Sequence, residues 1–175
     1  EWEWGYRENE ELNGYDPYSN SKSCSELVTD SYRNSFFGNS GLRVLPITTA
    51  RAGNVIGGGD FAADRIIPDC VRAVSSGEKI RVRNPYSVRP YQHVLEPLTV
   101  YLMIAQRQME DPSLANWYNI GPDEEDCVTT GTLVGLFCKA WGEQATWTNL
   151  SEQNAPHEAG YLKLDCSLLK STFHW

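Results

Sequence analysis

A chain of 175 residues with 41% hydrophobic and 22% charged side chains is long enough for one domain with its own core, and the composition excludes a disordered polymer. A net charge of −8 excludes the basic footprint that a nucleic-acid binder needs, so no nucleic-acid partner is expected. No apolar run approaches the roughly 18 residues of a membrane-spanning helix, so no membrane partner is expected either.

The charge is uneven. Residues 51–89 carry Arg51, Arg65, Arg72, Lys79, Arg81, Arg83 and Arg89 against only Asp60, Asp64, Asp69 and Glu78. A locally basic field in an acidic chain suits a small anionic ligand, although clustering on a solvated face explains it equally well. The opening "EWEWGYRENEE" is acidic and lacks the apolar core of a secretory leader. The five cysteines, 24, 70, 127, 138 and 166, are odd in number and show no CxxC spacing. They read as free thiols in a reducing cytoplasm, with no metal site. With no initiator Met and a start inside an apparent loop, the chain reads as a fragment.

Asp16-Pro17 is an N-cap followed by proline at the first helical position, and Cys24, Leu27, Val28, Tyr32 and Phe36 recur at helical spacing. A helix is therefore predicted from Pro17 to Phe37. The small residues 49–53 predict a strand feeding a loop, and "GGGD" at 57–60 must be loop. Ile66–Ser76 is amphipathic and stops at Gly77, "KIRVRN" alternates as a strand does, and "PYQHV" is short and extended. Pro97 opens an apolar helix, and "NWYNIG" at 116–121 is a strand. Thr129 or Thr130 caps a helix that faces Leu133, Val134, Phe137 and Trp141 inward and ends at Gly142. "ATWTNL" is a further strand, and "YLKLD" precedes a last short helix. Helices alternating with short strands define an α/β fold.

Tyr18 and Lys22, in "YDPYSNSK", lie one turn apart on a helix face. An ammonium beside a phenol favours the phenolate and brings a tyrosine towards use as a general base. On spacing alone, a chance pair on a surface helix explains them better.

Context adds to the pair. "YDPYSNSK", then a helix, then a strand ending "ARAGNVIGGGD", resembles the extended short-chain dehydrogenase/reductase family, which follows Tyr-x-x-x-Lys with an Arg-x-x-Asn-x-x-Gly turn, here Arg51, Asn54 and Gly57. "RNPYSVRPYQHVLEPL", "YNIGPDEE" and "PHEAGYLKLD" look like the branch of that family that dehydrates CDP-glucose. The resemblance runs from "WGYREN" to "LKLDCS".

The resemblance implies part of a Rossmann-type parallel sheet plus a smaller substrate domain. Residues 1–60 would hold the C-terminal part of the NAD-binding domain with the catalytic helix, and 61–175 mainly the sugar-nucleotide domain, with some segments returning to the Rossmann sheet. Tyr18 would take the proton of the sugar 4-hydroxyl, and Lys22 would lower the tyrosine pKa and bond the nicotinamide ribose. Tyr18, Lys22 and Arg51 would line the cofactor, NAD. The substrate would be CDP-glucose, oxidised at C4, dehydrated across C5–C6 and reduced at C6; the alternatives are another extended reductase, such as a UDP-sugar epimerase or a GDP-mannose dehydratase, or a truncated, non-catalytic nucleotide-sugar-binding module. The intact protein would be a homodimer, formed through the helix that bears the Tyr-x-x-x-Lys.

The resemblance also assigns substrate contacts. Asn54 would meet the substrate, or satisfy its own turn. Arg89 would pair the diphosphate with its fork, or form a surface salt bridge. Arg65 would reach the nucleotide, or start a helix in solvent. Asn119 would lie near the nucleotide, or orient its loop. His157 and Tyr161 would fall in a segment closing over the nucleotide, or serve structure. The family's Gly-rich pyrophosphate turn has no counterpart in the 175 residues, so the chain alone is expected neither to bind NAD well nor to turn over. Ser23, Ser25, Phe61 and Tyr91 depart from the family pattern without touching Tyr18, Lys22, Asn54 or Arg89.

Overall fold

A computed structural model of the chain describes residues 4–37, 45–151 and 160–175. In chain order the regular elements are α1 (Pro17–Tyr32), β1 (Thr49–Ala52), β2 (Asn54–Ile56), α2 (Ile66–Ser75), β3 (Ile80–Val82), β4 (Val88–Arg89), β5 (Tyr91–His93), α3 (Leu95–Glu110), β6 (Trp117–Ile120), β7 (Val128–Thr129), α4 (Thr130–Trp141), β8 (Trp147–Asn149) and α5 (Ser167–Phe173). The chain divides into two compact units of three segments each.

The first unit takes Glu1–Tyr6, Gly53–Glu96 and Gly121–Leu164. Parallel β3 and β8, with α2 and α4, enclose Cys70, Ile80, Val82 and Val134. Burial pushes the Cys70 thiol up to about 12, which keeps it protonated and inert. The Thr129 hydroxyl accepts from the Thr132 amide at 3.1 Å and caps α4. Gly142 ends that helix at φ 115°, a conformation that favours glycine. Trp141 does not face inward as expected: it is 46% exposed and stacks on Phe137 with ring centres 5.3 Å apart. Phe137 packs against the core and shields one face of the indole, which leaves the other in solvent.

Two further ladders belong to this unit. β2 runs parallel to β5 in the register Asn54↔Tyr91, and β4 runs antiparallel to β7 in the register Arg89↔Val128. At Gly53 the neighbouring chain comes so close that a Cβ would meet the Pro90 carbonyl oxygen at 2.7 Å.

The second unit takes Arg7–Ala52, Pro97–Ile120 and Asp165–Trp175. Parallel β1 and β6 pair from Thr49↔Trp117 to Ala52↔Ile120. The core is Val100, Ile104, Tyr118, Ile120, Leu169 and Phe173, with Tyr118 and Phe173 edge to face at 5.1 Å. The Asp16 carboxylate caps α1 by accepting from the Tyr18 and Ser19 amides at 2.9 and 3.0 Å. The α-helix stops at Tyr32, and Arg33–Phe37 continue as a wider π-helical turn. There Arg33 donates to the Ile47 carbonyl at 2.8 Å and lies over the Trp117 ring at 4.2 Å. α3 begins at Leu95, two residues before the proline expected to open it, because Pro97 sits in the first turn where its missing N–H is not needed. Among the described residues no helix is long and apolar enough to cross a membrane, and all five cysteines are free thiols.

Candidate active site

In the second unit, Tyr18 and Lys22 project from the first turns of α1, and both are exposed. The Lys22 ammonium lies 5.3 Å from the centre of the Tyr18 ring. The start of the helix is tightly fastened. Beyond the Asp16 cap, Ser19 donates its hydroxyl to the Asp16 carboxylate at 2.6 Å and Asn20 donates its side-chain amide to the Gly14 carbonyl at 2.6 Å. The bond from the Ser19 hydroxyl, then that from its amide, holds the Asp16 carboxyl below the usual carboxylate range.

Arg51 and Asn119, expected beside cofactor and nucleotide, face each other across one rung of the β1/β6 ladder. The Arg51 guanidinium is engaged with Glu26 on α1, with Nε to Oε1 at 2.8 Å and Nη2 to Oε2 at 2.6 Å. Its Nη1 donates to the Glu8 carbonyl at 3.0 Å. The Glu8 carboxylate in turn accepts from the Asn119 amide at 2.8 Å. The Asn119 side chain, 1% exposed, donates to the Asp165 carbonyl at 3.2 Å. Glu8 and Glu26 are not singled out by sequence reasoning. The available signal is that Glu26 follows Lys22 by four, repeating the spacing of Lys22 after Tyr18.

In the first unit, Asn54 opens β2 opposite Tyr91, two residues past Arg89. Arg89, on β4, is 7% exposed and donates to the Val88 carbonyl at 2.9 Å. Tyr161 bridges Val88 in parallel, supported by a Val88 amide bond to the Gly160 carbonyl at 2.9 Å. Asn54, Arg89 and Tyr161 are thus brought to adjoining strands. Lys163 joins them unannounced: its ammonium lies 5.0 Å from the Tyr161 ring centre and 2.9 Å from the Glu124 carboxylate. A hydrogen bond with Tyr161, then the one with Glu124, holds that ammonium above the usual lysine range. Arg65 precedes α2, with Nε 3.7 Å from the Asp60 carboxylate and most of its side chain in solvent. His157 lies outside the described residues.

A phenol and an ammonium on one exposed helical stripe can exchange a proton with a sugar hydroxyl and bond the hydroxyls of a ribose. Lys22 makes no ion pair among the described residues. The α/β chain thus brings Tyr18 and Lys22 together in one unit, and Asn54, Arg89 and Tyr161 together in the other.

The comparisons place the chain further. The model of the NAD dependent epimerase/dehydratase family matches residues 5–121, and the chain belongs to that family. It is 50% identical to the CDP-glucose 4,6-dehydratase of Salmonella typhimurium over 100% of its own length and 49% of that protein's. The chain therefore spans about half the length of the curated relative it matches. Among solved structures it resembles UDP-glucuronic acid 4-epimerase from Bacillus cereus, in complex with UDP-glucuronic acid and NAD. There the TM-score is 0.80 and the identity 15%, over 100% of this chain and 52% of that one. It also resembles dTDP-glucose 4,6-dehydratase from Streptomyces venezuelae, with NAD bound, at TM-score 0.74 and 18% identity over 97% and 48% of the two chains. At such identities these likenesses show the fold, the extended short-chain dehydrogenase/reductase α/β fold.

Proposed function

We propose that the full-length protein containing this chain converts CDP-D-glucose to CDP-4-keto-6-deoxy-D-glucose, as a hydro-lyase of deoxysugar biosynthesis in the cytoplasm. The observation that carries this reading is the 50% identity, over the whole length of the chain, to a CDP-glucose 4,6-dehydratase. The placement of Lys22 beside Tyr18 supports it chemically.

In this reading Tyr18 removes the proton of the sugar 4-hydroxyl, and Lys22 stabilises the phenolate and bonds the cofactor ribose. Bound NAD supplies hydride acceptance and return. With C4 a ketone, the C5 proton becomes acidic and water leaves across C5–C6. Arg89 pairs the diphosphate, with Asn54, Tyr161 and Arg65 as further nucleotide contacts. Asn119 and His157 complete the expected set. The intact protein is a homodimer. Leu27, Val28, Tyr32 and Phe36, exposed along α1 and the turn that follows, are apolar enough to support that assembly.

Incubating the full-length protein with CDP-glucose, UDP-glucose or GDP-mannose, and reading the alkaline absorbance of a 4-keto product, tests the assignment. Product from CDP-glucose alone is expected. Product from UDP-glucose or GDP-mannose alone overturns the cytidine specificity.

A further inference from the structure

We propose that Glu26 and Arg51 are positioning residues that set the rotation of α1 about its axis and so aim Tyr18 and Lys22. This rests on the function proposed above.

Tyr18, Lys22 and Glu26 form one stripe at i, i+4 and i+8. Of the side chains in the stripe, Glu26 is the one held by an ion pair among the described residues. Tyr18 is 72% exposed, whereas the Glu26 and Arg51 side chains are 16% and 19% exposed. Within a single copy of the chain apolar packing does not fix the helix: among the described residues α1 buries none fully, and Leu27, Val28 and Tyr32 are all exposed. A planar guanidinium meeting both oxygens of a carboxylate fixes orientation as well as distance. The fork on Glu26 engages Nε and Nη2 together.

Its counterpart at Arg51 is held equally firmly. Arg51 sits in the β1/β6 ladder opposite Asn119. Glu8 bonds both members of that rung, through its carbonyl to Arg51 and its carboxylate to Asn119. The strand rung, the segment leading to α1 and the helix face below Lys22 therefore share one polar joint. Arg33, at the far end of α1, gives a second attachment through Ile47 and Trp117, but it lies beyond the last turn. A helix rotation of roughly 10° moves the tip of a long side chain by about 1 Å, and misplacement of that size costs about 100-fold in rate.

The test uses the full-length protein, saturated with NAD, as wild type, Glu26→Gln and Glu26→Asp. Glu26→Gln is expected to lower kcat at least tenfold with KM for CDP-glucose within twofold. Glu26→Asp, which keeps the carboxylate on a shorter stem, is expected to recover part of kcat. Crystal structures of wild type and Glu26→Gln are expected to show the Tyr18 hydroxyl and Lys22 ammonium displaced together by about 1 Å relative to the β1/β6 ladder in the variant. An unchanged kcat, with only Tm lowered, overturns the proposal, as does an unchanged position of Tyr18 and Lys22 relative to the β1/β6 ladder. If Glu26→Gln does not fold, Glu26→Asp is read by the same two criteria against wild type. Wild-type protein inert towards CDP-glucose overturns the functional reading instead, and the crystallographic comparison then decides the positioning role by itself.

Discussion

The Lys22 ammonium lies 5.3 Å from the centre of the Tyr18 ring, one turn further along α1. This places a positive charge beside the phenol without burying either group. Tyr18→Phe removes only the hydroxyl and leaves the ring. In the full-length protein it is expected to cut kcat by about 10²–10⁴-fold, the range of general acid–base catalysis. CDP affinity by calorimetry is expected to stay within about twofold. Undiminished turnover removes Tyr18 from the mechanism.

Arg89 offers a planar fork on a nearly buried strand next to the segment carrying Tyr161. Arg89→Lys keeps the charge and loses the fork. CDP binding is expected to weaken by about tenfold, or roughly 1.4 kcal/mol. A calorimetric Kd equal to wild type assigns the diphosphate to another cation.

Gly53→Ala addresses the fold of the first unit. A methyl group there meets Pro90 carbonyl oxygen and ring carbon at 2.7 Å, contacts that strand and ring cannot both avoid. A loss of about 1–3 kcal/mol is expected from overpacking. Urea unfolding of the variant measures it, and an unchanged midpoint shows that β2 and β5 separate freely.

Asp165 gives a pH dependence. The Ser167 side chain and amide, followed by Arg7, hold its carboxyl below the usual carboxylate range. A depressed folded-state value stabilises the fold above the unfolded value of 3.8, and that stability is lost as pH falls through the folded value. Asp165→Asn is expected to cost on the order of 1 kcal/mol at pH 7, the size of a charged hydrogen bond. The gap in urea midpoints between wild type and variant should narrow from pH 5 to pH 3. A gap that widens on acidification contradicts the assignment.

Local signals in the sequence are strong where backbone chemistry is decisive. Asp16-Pro17, Thr129 and Gly142 mark helix ends because cap geometry needs those residue types, and the structure uses all of them. β2 carries no local signal, because "NVI" between glycines becomes a strand only through its parallel pairing with β5, far along the chain. β4 and β7 are two residues each, too short for any periodicity. Trp141 obeys the helical spacing of its inward neighbours yet stays half in solvent, since the hydrophobic pattern sets a face and not its depth of burial. At the candidate site, Tyr18 and Lys22 were legible as a spacing. The joint of Glu8, Glu26, Arg51 and Asn119 was not, because it draws on four segments with no common local pattern.

The most direct test of the proposed chemistry follows a label. CDP-glucose carrying deuterium at C4 is given to the full-length protein, and the product is read by NMR. Deuterium at C6 of a 4-keto-6-deoxy sugar is the expected result, since one hydride leaves C4 and returns two carbons away. Deuterium found back at C4, in a sugar that has kept its 6-hydroxyl, contradicts dehydration and marks an epimerase.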